Sequence, residues 1–374
     1  MKLPTSLSAT LAVFCAAIFA LVACTPDEHE RDLLIIAQWN VQALFDGHEA
    51  GNEYREFREA EGWTAEKYQA RITAISQAVS RMTQDVPDVI GLTELENAAV
   101  LHALTSGELS RHGYFWTAFA NIPGAPIGLG FISRFPLTDV RAHSITINGE
   151  TAPGPMLEVR IEPDGQPLVL LLGHWKSKLG GAEATAALRR ASAMVVYRRL
   201  AEIKAAEAGT PVIVMGDLNE NHDEFHRHAG ELFSALLPDD AEAALMASRH
   251  LQGYLPGYSR SPPAVNFLVI SGEKPPQARS FPDGVHALYS PWDREKTGGS
   301  YFFRDRWQTI DHFLLSAAFF DSAGWEFADS AVINSEPFTV ADGTPNSYNA
   351  RSGRGLSDHL PLVLYLRQAM ELSE

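Results

Sequence analysis

Cysteine is almost missing from this chain: Cys15 and Cys24 are the only two in 374 residues. If the segment holding Cys15 is removed, no pair remains, so a disulfide framework is excluded and stability must come from an apolar core. Positive charge is also short. Thirty Lys and Arg stand against 46 Asp and Glu, a formal net charge of −16. Such a chain gains nothing from general attraction to polyanions, so nucleic acid would have to be held through a local basic strip or a metal. Internal repeats and low-complexity linkers are lacking too. What is present, 45% hydrophobic and 20% charged residues, is the composition of a globular protein with ample core material.

Long hydrophobic runs are nearly absent as well. The one N-terminal run, residues 11–22 behind Lys2, is too short and too terminal for a spanning helix. It ends in Leu21-Val22-Ala23-Cys24, which resembles a bacterial lipoprotein signal with LVAC as lipobox and Cys24 as the lipidated residue. The alternative is an ordinary secretory signal cut near Cys24. The expected organisation is a signal over 1–23, a lipidated tether over 24–32 and one domain over 33–368. Thr25, where an Asp would favour inner-membrane retention, implies a lipid-anchored protein of the bacterial envelope, at the outer rather than the inner membrane and facing the periplasm or the cell surface.

Short apolar runs rich in branched residues predict buried strands over 33–41, 88–95, 130–133, 156–161, 168–173, 211–216, 309–316 and 360–366. Two segments predict helices. Over 63–82, Tyr68, Ile72, Ile75, Val79 and Met82 recur at helical spacing behind a capping Thr64. Over 185–208 the sequence is alanine-rich and favours helix intrinsically. Residues 220–308 are looser, with Pro, Gly and aromatics around 253–258 and at Trp292. They read as loop-rich insertions within the same domain.

The polar chemistry sits at strand ends: Asn40, Glu94, His174, Asp217 with Asn219, Asp311, and Asp358 with His359. One polar residue at a strand end is ordinarily a cap or a solvated turn. Six such ends with these side-chain types meet the demands of phosphoester hydrolysis. A hard cation on carboxylate and amide oxygens offsets the anionic electrophile, a histidine tied to a carboxylate handles the proton, and donors meet the developing charge.

In order, the blocks are QWNVQALFD, LTELEN, GLGFISRFP, GHWKSKLGG, VIVMGDLNE, QTIDHFLLS and LSDHLPL. In this order and separation the chain resembles the endonuclease/exonuclease/phosphatase superfamily over roughly residues 33–367. The resemblance implies an α/β fold, a four-layer α/β/β/α sandwich of the DNase-like kind in a single domain, with the site at one edge of two sheets. It implies Mg²⁺ or Mn²⁺ held by Glu94, Asn40 and Asp358. His359 would activate water or stabilise the phosphate, oriented by Asp311. Asp217 and Asn219 would position nucleophile and scissile phosphate, with Asn219 also contacting substrate. His174 would be a phosphate donor or leaving-group acid.

Lys176 and Lys178 are candidate grips for phosphate oxygens, with a solvated strand end as the alternative for Lys178. Of Arg189 and Arg190, one is a candidate to face the cleft, with a surface ion pair the expected role for each. Alternation points His312 away from Asp311, so it is not counted as catalytic. His222, His226 and His228 mimic a metal motif without its strict helical pair. Tyr301, Phe303 and Trp307 are candidates for stacking on a substrate base, with core or rim packing as the alternative.

The expected function is Mg²⁺- or Mn²⁺-dependent hydrolysis of phosphate esters, foremost a nuclease acting on extracellular or periplasmic DNA or RNA. The alternatives are a sphingomyelinase-like or small-phosphoester phosphatase and a non-catalytic surface-binding lipoprotein. The sequence implies no obligate protein partner, and the membrane would be reached through lipid on Cys24.

Overall fold

The computed structural model describes residues 33–147, 150–152, 154–232, 234–253, 267–281, 285–292 and 298–369, with the side chains of 150, 151 and 249–253 left aside. The expected signal over 1–23, Cys24, the tether and most of the aromatic stretch at 253–258 lie outside the described residues. Among the described residues no helix is long and apolar enough to cross a membrane.

Four strands open the chain: β1 (Leu34–Leu44), β2 (Val89–Leu95), β3 (Trp116–Ala120) and β4 (Gly128–Ser133). Next come β5 (Thr138–His143), the ribbon β6 (Thr146–Ile147) and β7 (Glu150–Thr151), then β8 (Met156–Ile161), β9 (Leu168–His174) and β10 (Val212–Asp217). The third group is β11 (Leu236–Pro238), β12 (Leu268–Ser271), β13 (His286–Tyr289), the hairpin β14 (Tyr301–Phe303) and β15 (Arg306–Gln308), β16 (Asp311–Leu315), β17 (Trp325–Val332) and β18 (Leu362–Gln368). Two sheets result among the described residues. One runs β17-β18-β1-β2-β4-β3, the other β11-β12-β13-β16-β10-β9-β8-β5.

Side-chain alternation makes four layers of these elements. In β1, Ile35, Ala37, Trp39 and Val41 face α1 (Ala65–Val79) and α2 (Ala98–Ser106), meeting Ile72, Ile75, Val79, Val100 and Leu104. Leu34 and Ile36 face the other way, into a dry layer between the sheets. There they join Leu168, Leu170 and Leu172 of β9 and Ile213 and Met215 of β10. The remaining faces of β9 and β10, Val169, Leu171, Val212 and Val214, pack on Val195, Val196, Leu200 and Ile203 of α3 (Ala182–Ala206). Strands buried on both faces need continuous apolar runs, and that is why they were legible. The α/β/β/α sandwich implied by the motif blocks is therefore the observed architecture.

Helix starts follow local chemistry. Thr64 caps α1 by accepting the Lys67 N–H at 3.3 Å. The segment 220–308 departs from a purely loop-rich reading. Besides α4 (Glu224–Arg227) and α5 (Ala241–Gly253), it supplies β11, β12 and β13, which extend the second sheet by three strands. These strands span only three or four residues each, too few for an alternating pattern to stand out.

Candidate active site

Glycine sets the spacing of two site strands. Gly216 and Gly173 are register partners in β10 and β9, immediately before Asp217 and His174. Gly216 has φ +121°, and a Cβ there would lie 2.1 Å from the Gly173 carbonyl oxygen. Only glycine permits this approach, which sets His174 and Asp217 side by side at the strand ends.

Asp217 Oδ2 is the meeting point. Asn40 Nδ2 donates to it at 3.0 Å and also to Glu94 Oε1 at 3.0 Å. His174 Nε2 lies 3.6 Å from Asp217 Oδ2 and 3.7 Å from Glu94 Oε1. His359 Nε2 lies 3.8 Å from the same Asp217 oxygen, while its Nδ1–H donates to Asp311 Oδ2 at 2.8 Å. Thus β1, β2, β9, β10, β16 and the turn before β18 deliver one side chain each to a single point. Asn40, Glu94, His174, Asp217, Asp311 and His359 are brought together. Asn219 sits behind Asp217, its N–H on Asp217 Oδ1 at 3.0 Å and its Nδ2 on the Trp175 carbonyl at 3.1 Å. Asp358 is the neighbour of His359, half-buried, in electrostatic reach of Glu94 and Asp311.

Several further groups support these residues. Ser300 Oγ donates to Asp311 Oδ2 at 2.5 Å. Ser357, inside the LSDHLPL block, donates to the Asn40 carbonyl at 2.6 Å and accepts the His359 N–H at 3.1 Å, tying two site strands together. Tyr301 stacks on the His359 ring with centroids 4.5 Å apart and planes 25° from parallel. Packing, rather than open display for a base, occupies that face of Tyr301. Phe303 and Trp307 sit on the same hairpin, Phe303 exposed and Trp307 packed on Phe302 at 5.1 Å.

Burial and crowding of like charge dominate the electrostatics. Burial pushes the Asp217 carboxyl up to about 6, with Asp311 adding to the rise and His359 and His174 opposing it. Burial also raises Asp358, against the neighbouring His359. For His359 burial works against the charged form. The Asp311 carboxylate, its hydrogen bond, and Asp217 and Asp358 outweigh this and hold the imidazolium well above the ordinary histidine range. The balance favours the protonated ring, and Nε2 is turned towards Asp217.

Asp217, Asp311 and His359 offer ligand atoms within 4.8 Å of one another, a geometry compatible with an ion. Asp311 Oδ2, however, already receives Ser300 and His359, so this trio reads as a hydrogen-bonded acid–imidazole chain. Glu94 and Asp358 join Asp217 to make the oxygen edge of the site. With Asp311, four carboxylates gather around the site against two histidines, and every donor is a hard oxygen or an imidazole. That donor chemistry fits Mg²⁺ or Mn²⁺.

The remaining candidates separate. Arg189 is not in a surface ion pair. It is fully buried, its Nε donating to Glu220 Oε1 at 2.5 Å and its other nitrogens to the Lys176 and Ala182 carbonyls and Thr185 Oγ1. The guanidinium fastens the start of α3 to the strand end that carries His174, where an exposed ion pair could fix nothing. Lys178 pairs with the buried Glu224, so its ammonium is engaged within the fold. Lys176 is half-buried two residues beyond His174, its carbonyl held by Arg189. His312 points to the far side of β16 and meets the Glu220 carbonyl at 2.8 Å. His222, His226 and His228 diverge to Thr309, Asp240 and Glu224 and share no common point.

Residues 35–234, more than half of the chain, match the family model described as Endonuclease/Exonuclease/phosphatase family. Among solved structures, humanized D. rerio TDP2 carrying 14 mutations superposes with TM-score 0.51 at 16% identity, covering 90% of this chain and 100% of that one. Truncated Caenorhabditis elegans TDP2 gives TM-score 0.50 at 14% identity, covering 90% of this chain and 98% of that one. Both likenesses are of fold. No curated protein matches the sequence significantly.

Proposed function

The chain belongs to the endonuclease/exonuclease/phosphatase family, and we propose that this phosphoester hydrolase is a Mg²⁺- or Mn²⁺-dependent phosphodiesterase acting on DNA or RNA outside the cytoplasm. The observation that carries the reading is the convergence of Asn40, His174 and His359 within 3.8 Å of one carboxylate oxygen, Asp217 Oδ2.

Each residue has a role that follows from its surroundings. Asp217 titrates near neutrality and is fixed by Asn40 and Asn219, so it takes a proton from a water placed in line with phosphorus. His359, kept protonated by Asp311, donates to a non-bridging phosphate oxygen through Nε2, and His174 approaches the same centre from β9. Asn219 holds Asp217 from behind, and Lys176, two residues beyond His174, is the proposed substrate contact. Glu94, Asn40 and Asp358 would hold the cation, which supplies positive charge against the phosphate and its leaving oxygen.

The substrate class is tested with protein comprising residues 24–374, incubated with supercoiled plasmid, RNA, sphingomyelin vesicles and sugar phosphates under Mg²⁺, Mn²⁺ or EDTA. The expected result is nicked plasmid or shortened RNA, suppressed by EDTA. Release from sphingomyelin or sugar phosphates alone would replace the nuclease reading with the lipid or small-ester one. Inertness on every ester with either metal would favour a surface-binding lipoprotein.

The envelope location rests on Cys24 following LVA. Lipid on this cysteine would tether the domain through residues 24–32. In a bacterial host, Cys24→Ser is expected to move the protein out of the detergent-extracted membrane fraction. Equal membrane retention of both forms would sink the anchor.

A further inference from the structure

Arg71 is an unusual core residue. It projects from α1 into the apolar layer among Phe57, Tyr348 and the end of β1, 2% exposed, and among the described residues no carboxylate lies within ion-pair distance of it. Burying a guanidinium without a counter-ion is costly, and burial lowers its pKa to about 10, which still leaves it charged at neutral pH. What holds it there is backbone, with the charges of Glu94 and Asp358 favouring the cation from beyond ion-pair distance. Nη1 donates to the Ala43 carbonyl at 2.8 Å, and Nη2 donates to the Val41 and Gln42 carbonyls at 2.7 and 2.5 Å. The ring of Tyr348 lies 3.7 Å from its central carbon.

Those three carbonyls belong to the turn that builds the cation edge of the site. Gln42 and Ala43 both adopt left-handed backbone, φ +52° and +53°, where non-glycine residues are disfavoured by about 1 kcal/mol or more each. The turn interrupts the β1–β2 register between Asn40 and Leu44. Because of it, the Ala43 N–H reaches Glu94 Oε2 at 2.8 Å and the Gln42 N–H reaches Asn40 Oδ1 at 3.0 Å. Both donors therefore orient residues on the oxygen edge, and each shares its peptide group with a carbonyl that Arg71 holds.

We propose that Arg71 is the positioning residue of the cation site: its forked guanidinium locks the left-handed Gln42–Ala43 turn and thereby aims Glu94 and Asn40. The inference rests on reading Glu94, Asn40 and Asp358 as cation-holding. It extends that reading to a buried side chain of α1 whose hydrogen bonds all go to backbone carbonyls. Lysine keeps the charge but presents its donors from one point and cannot span three successive carbonyls.

The test measures Mn²⁺ binding by electron paramagnetic resonance titration, with no substrate present, for wild type, Arg71→Lys, and Arg71→Lys combined with Ala43→Gly. Circular dichroism melts accompany each protein. Arg71→Lys is expected to weaken Mn²⁺ binding by about 10–100-fold, the range for losing a group that orients a metal ligand. Glycine at 43 occupies left-handed backbone without steric cost, so the double variant should recover a measurable part of that affinity. A purely structural role predicts instead that glycine restores the melting temperature at most, leaving affinity low, and that result overturns the proposal. Affinity within twofold of wild type in Arg71→Lys overturns it too. Should Arg71→Lys fail to fold, Ala43→Gly in its background supplies the comparison, and recovery of folding without Mn²⁺ binding counts against the clamp. Failure of wild type itself to bind Mn²⁺ removes the cation reading and this inference together, whereas binding by wild type with an unaffected Arg71→Lys removes only the inference.

Discussion

Replacing His359 with alanine is expected to lower kcat/KM on any phosphate ester the wild type hydrolyses by about 10²- to 10⁴-fold, the contribution of one positioned proton donor. The fold should persist. The backbone at 359 is held independently, its N–H on Ser357 Oγ and its carbonyl by the Trp39 indole at 2.9 Å. Ser300 still donates to Asp311 Oδ2. The pH profile makes the prediction specific. Activity that needs Asp217 ionised and His359 protonated falls on the acid side as pH drops through about 6. On the alkaline side it falls as pH rises through the elevated His359 pKa, above the ordinary imidazole range. The alanine variant should keep an acid limb, moved to higher pH because the His359 charge that lowers Asp217 is gone, and lose the alkaline one. A His359→Ala profile still bell-shaped, with both limbs in place, would show that another group carries the donor role.

The ends of the strands were readable because a strand buried on both faces must be apolar, and it stops being apolar where it meets the site. Asn40, Glu94, His174, Asp217 and Asp311 each interrupt such a run. Alternation within β16 likewise separates Asp311, which bonds His359, from His312, which bonds the Glu220 carbonyl on the other face. Which ends share a point could not be read from periodicity, since Asn40 and Asp217 are 177 residues apart. The order of the motif blocks supplied that link, by resemblance rather than by pattern.

What stayed hidden has a common physical origin. Arg71 and Arg189 both sit in helices whose charged residues ordinarily face water, and nothing local marks the buried pair from the exposed ones. Arg189 finds Glu220 at a separation of 31 residues, and Arg71 finds backbone carbonyls 28 to 30 residues earlier. Carbonyl partners are available at every position and leave no trace in sequence. Ser300 is similar: its single hydroxyl matters only because the β14–β15 hairpin is carried beside His359. Strands such as β5, largely exposed along Thr138–His143, lack the apolar run that revealed their neighbours.

Glu94→Gln is expected to lower turnover at fixed Mg²⁺ by about 10³-fold or more, since cation charge compensation is worth several kcal/mol and each 1.4 kcal/mol is tenfold. The change is nearly isosteric, and a glutamine oxygen can still accept the Ala43 N–H that meets Glu94 Oε2. The amide does, however, set a second N–H against the Asn40 Nδ2 donor that Glu94 Oε1 accepts at 3.0 Å, and it removes one negative charge from the oxygen edge. Loss of that charge weakens attraction for a divalent ion and should not unfold the protein, because Glu94 is 20% exposed and anchored by backbone. The check is a metal titration of activity. If Glu94 holds the cation, the variant should regain part of its rate as Mn²⁺ is raised from micromolar to tens of millimolar, with the half-saturating concentration shifted upward. An unshifted midpoint with a uniformly reduced rate would assign Glu94 to the chemical step instead. Wild-type activity in the variant at all metal concentrations would take Glu94 out of the site altogether, and with it the need for the left-handed turn that presents an N–H to its carboxylate.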